Sequence, residues 1–268
     1  MRCFLLLLIF LPLYVCANSD TSFVIVICSY NNQQWYKKNL SSVFMQDYTN
    51  YRVVYTDDNS IDNTSILVEQ FIDEQNKSEV VQVIKNTNRI GQLANTYNAI
   101  LGCKKTDVVI ILDGDDWFAR SDVLSYLNTI YSDKNVWLTY GQYRQWPSNK
   151  IGHCSKLSKN VIEQNLFRQS KWAASHLRSF YAGLFHEINV EDLKFDGEFI
   201  KYSADAAYMF PLLEMAGNHI RFISKVLYIY NRDNPLNCNK QKMKLSLEMF
   251  DFVKHKEKYT PLAFMPEE

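Results

Sequence analysis

The sequence lacks a charge imbalance: Lys plus Arg and Asp plus Glu both number 29, so the formal charge is zero. Nucleic-acid binding by phosphate electrostatics needs a clustered basic excess, and no such partner is expected. No Cys-x-x-Cys pair and no zinc-ligand spacing is present. No Gly-x-Gly-x-x-Gly follows the first apolar run, which removes the glycine fingerprint of a dinucleotide-dependent oxidoreductase. Internal repeats and low-complexity tracts are also missing. The uncharged run from Phe4 to Val15 is too short to span a bilayer comfortably.

That run does have a use. It follows Arg2 and closes on Val15-Cys16-Ala17 ahead of polar Asn18-Ser19-Asp20, the pattern of a cleaved signal over residues 1–17 and hence of export to the secretory lumen or beyond. An uncleaved membrane anchor over residues 4–15 is the alternative, and it would be the chain's only membrane contact. Lipidation at Cys16 is weaker, because Val15 is a poor neighbour for it. Cleavage would leave Cys28 and Cys103 in apolar segments, as small core residues, and Cys154 and Cys238 in polar ones, able to pair in an oxidising compartment.

The remainder is long enough for one large domain, and with 47% hydrophobic and 22% charged residues it can bury a core. Its 17 Tyr, 16 Phe and 5 Trp would suit stacking on sugars or bases, although core packing uses such residues equally well.

Short β-branched runs, Phe23 to Ile27, Tyr51 to Tyr55, Val80 to Ile84 and Val108 to Leu112, alternate with helical patterns. Those helices are marked by Trp35 to Phe44, Ile66 to Ile72 and Leu93 to Leu101. Without hairpin turns between them, these predict right-handed βαβ units, an α/β fold with a mostly parallel sheet flanked by helices. Ligands then bind beyond the carboxyl ends of the strands. Every unusual polar cluster sits at such an end: Ser29-Tyr30-Asn31, Asp57 to Ser60, Asn86 to Gly91, and Asp113 to Asp116. Beyond residue 140 the alternation weakens; Asp205 to Ala216 predicts a helix ending at Gly217, Ile220 to Tyr230 a strand, and Gln241 to Lys258 a terminal helix.

Three carboxylates within Asp113-Gly114-Asp115-Asp116 repel one another at the end of a buried strand, which costs stability unless a cation or hydrogen-bond donors lie among them. Gly114 would let the backbone approach a ligand closely. Hard oxygen ligands suit Mg²⁺ or Mn²⁺ bridging a diphosphate; a calcium-stabilised loop or a plain acidic turn also fits.

At these residues the chain resembles family 2 glycosyltransferases of the GT-A fold, Rossmann-like nucleotide-diphospho-sugar transferases. Leu112 to Trp117 matches their LDxDDW form of the DxD motif, and Ile25 to Asn31, Val53 to Ser60 and Asn88 to Ile100 match in the same order. The resemblance implies a donor-binding half over 18–140, an acceptor-side half over 141–240, and a C-terminal helix and tail over 241–268. It implies Cys28 and Tyr30 beside the base, Tyr30 by stacking, with Asp57 accepting a hydrogen bond from the base edge. It places Asn88, Arg89 and Gly91 beside ribose and diphosphate, although a surface ion pair would also account for Arg89. Asp113, followed by Gly114, would face ribose or metal-bound water, and Asp115 would be the main ligand of Mn²⁺ or Mg²⁺, with Asp116 competing.

The implied partners are a UDP- or GDP-sugar donor and a glycan, lipid or protein hydroxyl acceptor, and the implied reaction is inverting hexosyl or N-acetylhexosaminyl transfer. Inversion needs one carboxylate to take the acceptor's proton. The family's frequent Glu-Asp pair falls at Ala204-Asp205, so Asp205 alone remains as the base, or as a helix cap. His176 and Arg178 are candidates for phosphate or acceptor contacts, or for a structural role. Asp233 stands where many relatives carry a metal-linked His. A catalytically silent glycan- or nucleotide-binding relative is the alternative, suggested by Ala204 and opposed by the three retained carboxylates.

Overall fold

The computed structural model describes residues 20–236 and 242–266. The signal segment expected over 1–17, and Cys238 of the expected disulfide, lie outside them.

The centre of the molecule is β1 (Phe23–Ser29), whose first five residues have no solvent exposure. β2 (Tyr51–Asp57) and β4 (Val108–Asp113) flank it in parallel register, with Ile25 opposite both Val53 and Ile110. β3 (Val81–Lys85) extends the sheet beyond β2. Parallel neighbours need crossovers, supplied by α1 (Tyr36–Phe44), α2 (Thr64–Glu74) and α3 (Gln92–Leu101). Because successive strand side chains point to opposite faces, Phe23, Ile25 and Ile27 pack with Leu40 and Phe71 on one side, and Val24 and Val26 with Leu93 and Ile100 on the other.

The second half adds β5 (Trp117–Phe118), α4 (Val123–Tyr131), β6 (Leu138–Trp146) and α5 (Lys159–Glu163), then β7 (Arg178–Tyr181) and α6 (Ala182–His186). A small hairpin of β8 (Lys194–Phe195) and β9 (Glu198–Phe199) precedes α7 (Ala204–Ala216), β10 (Ile220–Asn231) and α8 (Met243–Lys254). The sheet order is β3-β2-β1-β4-β7-β6-β10-β5. The expected mostly parallel, helix-flanked sheet is what forms; β7 runs antiparallel between β4 and β6, and β5 pairs antiparallel with β10. Helix α7 is buried on nearly every side, as expected for a helix apolar all round, and it stops where Gly217 takes φ of 51°.

A buried ion pair fastens the C-terminal segment to this body. The Arg168 guanidinium donates to both carboxylate oxygens of Glu214 on α7, at 2.6 and 2.8 Å, and to the Val253 carbonyl of α8 at 2.7 Å. Glu214 also accepts from the Tyr259 amide at 3.0 Å. Among the described residues no helix is long and apolar enough to cross a membrane.

Candidate active site

The carboxyl ends of β1, β2 and β4 open onto a cleft of about 850 Å³. At the end of β1, the Tyr30 ring carries the Arg89 guanidinium 3.7 Å above its centre, and Arg89 Nε also lies 3.7 Å from Asp58. Arg89 is thus an exposed side chain that pairs with Asp58 and covers the Tyr30 ring. The Cys28 thiol beside it is pushed up to about 12 by burial, so it stays protonated and serves as a wall.

Unlike Asp57, Asp58, the first residue after β2, lines the cleft. Its carboxylate accepts from Asn86 Nδ2 and the Ile90 amide at 2.9 Å and from the Gly91 amide at 3.0 Å, which fixes the loop that opens α3. Burial alone would raise its pKa, but the hydrogen bonds from Asn95, Ile90, Asn86 and Gly91 together outweigh that and hold it below 3.8. Asp57, the last residue of β2, is buried and accepts a hydrogen bond from the Ser60 hydroxyl. Asn88 likewise sits exposed outside the cleft, while Arg89 and Gly91, the latter at φ of 92°, line it.

The carboxylate loop divides in two. Asp113 and Asp115 line the cleft; Asp116 is wholly buried behind it, accepting from the Tyr228 hydroxyl and the Asn231 amide, both at 2.6 Å. Asp116 is thus enclosed where Asp115 is open to the cleft, and both remain candidate ligands. Asp113 accepts from Gln92 Nε2 at 2.5 Å, and Asp115 from Asn234 Nδ2 at 2.8 Å. Gly114 lets these two acids turn toward the cleft: a Cβ there would stand 2.8 Å from Ser29 and 2.9 Å from Asn32. Asp233, expected near the metal, is exposed and outside the cleft; its neighbour Asn234 takes the inward position because the Asp233 amide is turned back to Asn231 Oδ1 at 2.9 Å.

Burial, opposed by Arg178 and reinforced by Asp115 and Asp205, pushes the Asp113 carboxyl up to about 6. Burial raises Asp115 and, with its two acidic neighbours, raises Asp116 well above 3.8. A carboxylate oxygen from each of Asp113 and Asp116 and a ring nitrogen of His176 fall within 4.8 Å of one another. His176 is stacked on Tyr228 at 4.4 Å and Tyr230 at 5.3 Å, and its Nδ1 is buried with no hydrogen-bond partner. Burial, with Arg178 and His153, keeps it neutral. Two crowded carboxylates and a neutral imidazole form a donor set for a divalent cation.

The start of α7 delivers Asp205 to the same cleft, where it accepts from Arg178 Nη2 at 2.7 Å. Its carboxylate is therefore turned to β7 and does not cap the helix. Arg178 is buried, and the facing Tyr208, Asp205, Asp113 and Tyr228 outweigh its desolvation and keep it charged. Gln92 and Asn95 are cleft residues that fall inside the matching stretch Asn88 to Ile100 without being singled out there, and Asn234 is one that no sequence motif marks.

Residues 24–191 match the model of the family described as glycosyl transferase family 2. Among curated relatives, the glycosyltransferase GlyA of Streptococcus pneumoniae is 22% identical over 79% of this chain and 30% of its own length. The Escherichia coli β-1,3-glucosyltransferase WfgD, which its name says takes UDP-Glc, is 29% identical over 47% of each chain. The chain thus spans less than half the length of these relatives. Among solved structures, Staphylococcus aureus TarS 1-349 in complex with UDP-GlcNAc superposes with a TM-score of 0.67 at 15% identity, covering 87% of this chain and 66% of that one. The mannosyltransferase PcManGT of Pyrobaculum calidifontis, in complex with GDP-Man and Mn²⁺, gives 0.54 at 18% identity, covering 82% of this chain and 59% of that one. These likenesses share the fold; the family match adds the sequence of β1 through α6, carboxylate loop included, and by it the chain belongs to glycosyl transferase family 2.

Proposed function

We propose that this chain transfers a hexosyl or N-acetylhexosaminyl group from a UDP- or GDP-sugar to a hydroxyl acceptor, with inversion at the anomeric carbon. The observation that carries the reading is the meeting, in one cleft, of two open carboxylates on the donor side with an Arg-held carboxylate on the other. The ring of Tyr30 stacks on the base in the place that the Arg89 guanidinium covers in this structure, and the Asp58-braced loop of Ile90 and Gly91 borders the ribose. Asp115 and Asp113, with Asp116 and His176 close to Asp113, would hold Mn²⁺ or Mg²⁺, which would supply positive charge where the leaving group becomes more negative.

Asp205 takes the acceptor hydroxyl's proton as that oxygen bonds to the anomeric carbon, while the carbon–oxygen bond to the diphosphate breaks and its electron pair leaves with the nucleotide. Arg178, buried and charged, orients the Asp205 carboxylate and offsets the negative charge of Asp113. The TarS and PcManGT structures, solved with UDP-GlcNAc and with GDP-Man and Mn²⁺, support a nucleotide-sugar donor.

The test is a melting-temperature screen. UDP or GDP with Mn²⁺ is expected to raise the melting temperature by several degrees, as saturating binding to the folded state requires. Asp115→Asn is expected to abolish the shift; no shift with the native protein under any nucleotide and metal would remove the reading.

A further inference from the structure

The acceptor's chemical class is written on the other wall of the cleft. Trp172 and Phe250 each present a half-buried ring there, at 81° to one another with centroids 5.9 Å apart, and Trp172 is backed by Phe210 at 5.1 Å. Two rings set at a right angle and braced from behind form a rigid apolar corner. Its surroundings are polar: Lys201, Ser246 and His153 line the same cleft, as does Asp205.

The corner is also fixed relative to the proposed base. The Ser203 hydroxyl donates to the Ser246 carbonyl at 2.8 Å, joining α8 to the residues that open α7 and carry Asp205. At its far end α8 is held through Val253 by Arg168. Phe250 and Ser246 lie beyond the stretch that matches the family.

A pyranose ring has a C–H face that packs on an aromatic surface and a rim of hydroxyls that needs hydrogen-bond partners. An alkyl chain seated in the same place would strip water from Lys201, Ser246 and Asp205 and return nothing. We infer that the acceptor is a saccharide, its terminal ring held in the Trp172–Phe250 corner with one hydroxyl turned toward Asp205. This deepens the proposed transferase function and rests on it.

The experiment uses the full chain with Mn²⁺ and whichever of UDP or GDP raises its melting temperature, and cellobiose, lactose and chitobiose as probes in saturation-transfer-difference NMR. At least one disaccharide is expected to bind, with a Kd below about 10 mM. Trp172→Ala and Phe250→Ala are each expected to weaken it by about tenfold or more, the scale of one lost aromatic contact, with the nucleotide shift unchanged. Trp172→Phe, which keeps a ring, should retain most of the affinity. If Trp172→Ala proves unfolded, Phe250→Ala and Trp172→Phe decide, since Phe250 is on a solvent-facing helix.

Failure of all three disaccharides to bind a protein that does respond to nucleotide would overturn the saccharide inference alone. So would binding that survives both alanine substitutions. Failure of the nucleotide shift itself would overturn the transferase reading and this inference with it.

Discussion

Asp113 closes a strand whose other residues are all buried, and its carboxyl is pushed up to about 6 chiefly by that burial. Between the ordinary value of 3.8 and about 6, the folded metal-free protein holds a proton that the unfolded chain has released. Stability contributed by this group is therefore complete at low pH, falls as pH rises through that window, and is level above it. In chelator, the melting temperature of the native protein is expected to decline relative to Asp113→Asn from about pH 4 to about pH 6.5 and then run parallel to it. A constant difference across the range would mean that Asp113 titrates normally. The loop's acidity is legible in the sequence; which neighbour faces inward is not. Asp57 and Asp58 are adjacent and chemically alike, and only the last residue of β2 and the first of the loop differ in where the backbone aims them. The same one-residue offset separates exposed Asp233 from Asn234, which holds Asp115.

Among elements, β1 to β4 and their crossover helices are legible because wholly buried parallel strands must be continuous apolar runs. β7 is not, because Arg178-Ser179-Phe180-Tyr181 is four residues long and its polar side chains bond to partners far off in sequence, Arg178 to Asp205 and Ser179 to Tyr131 and Thr139. The terminal helix is legible, but its attachment is not: Arg168 and Glu214 are far apart in sequence and ordinary in type. Their pair is almost free of solvent and also carries Val253 and Tyr259. Removing one partner leaves the other charge buried, so Glu214→Gln is expected to cost about 3–5 kcal/mol in denaturant unfolding. Replacing both with apolar residues, Arg168→Met with Glu214→Leu, should recover much of that loss, since desolvation of the pair is no longer required. A double variant as unstable as the single one would place the stability in the Val253 and Tyr259 hydrogen bonds instead.

Across the whole molecule, the cleft joins chain segments far apart in sequence. The rim with Tyr30, Asp58 and Asp115 comes from the ends of β1, β2 and β4, whereas Asp205 arrives on α7, after the chain has crossed to β6 and back through β7. Asp205 is hydrogen-bonded to Arg178 and to no residue of the Tyr30, Asp58 or Asp115 groups, so the two contributions are separable. Asp205→Asn keeps an oxygen that can accept from Arg178 but removes the proton acceptor. The nucleotide-with-Mn²⁺ melting shift is therefore expected to persist within about a degree, while transfer, followed as nucleotide release with an acceptor present, falls by about 10²–10⁴. Undiminished release would exclude Asp205 as the base. Loss of the melting shift would show instead that the Arg178–Asp205 pair helps to build the donor side, through the charge that Arg178 shares with Asp113.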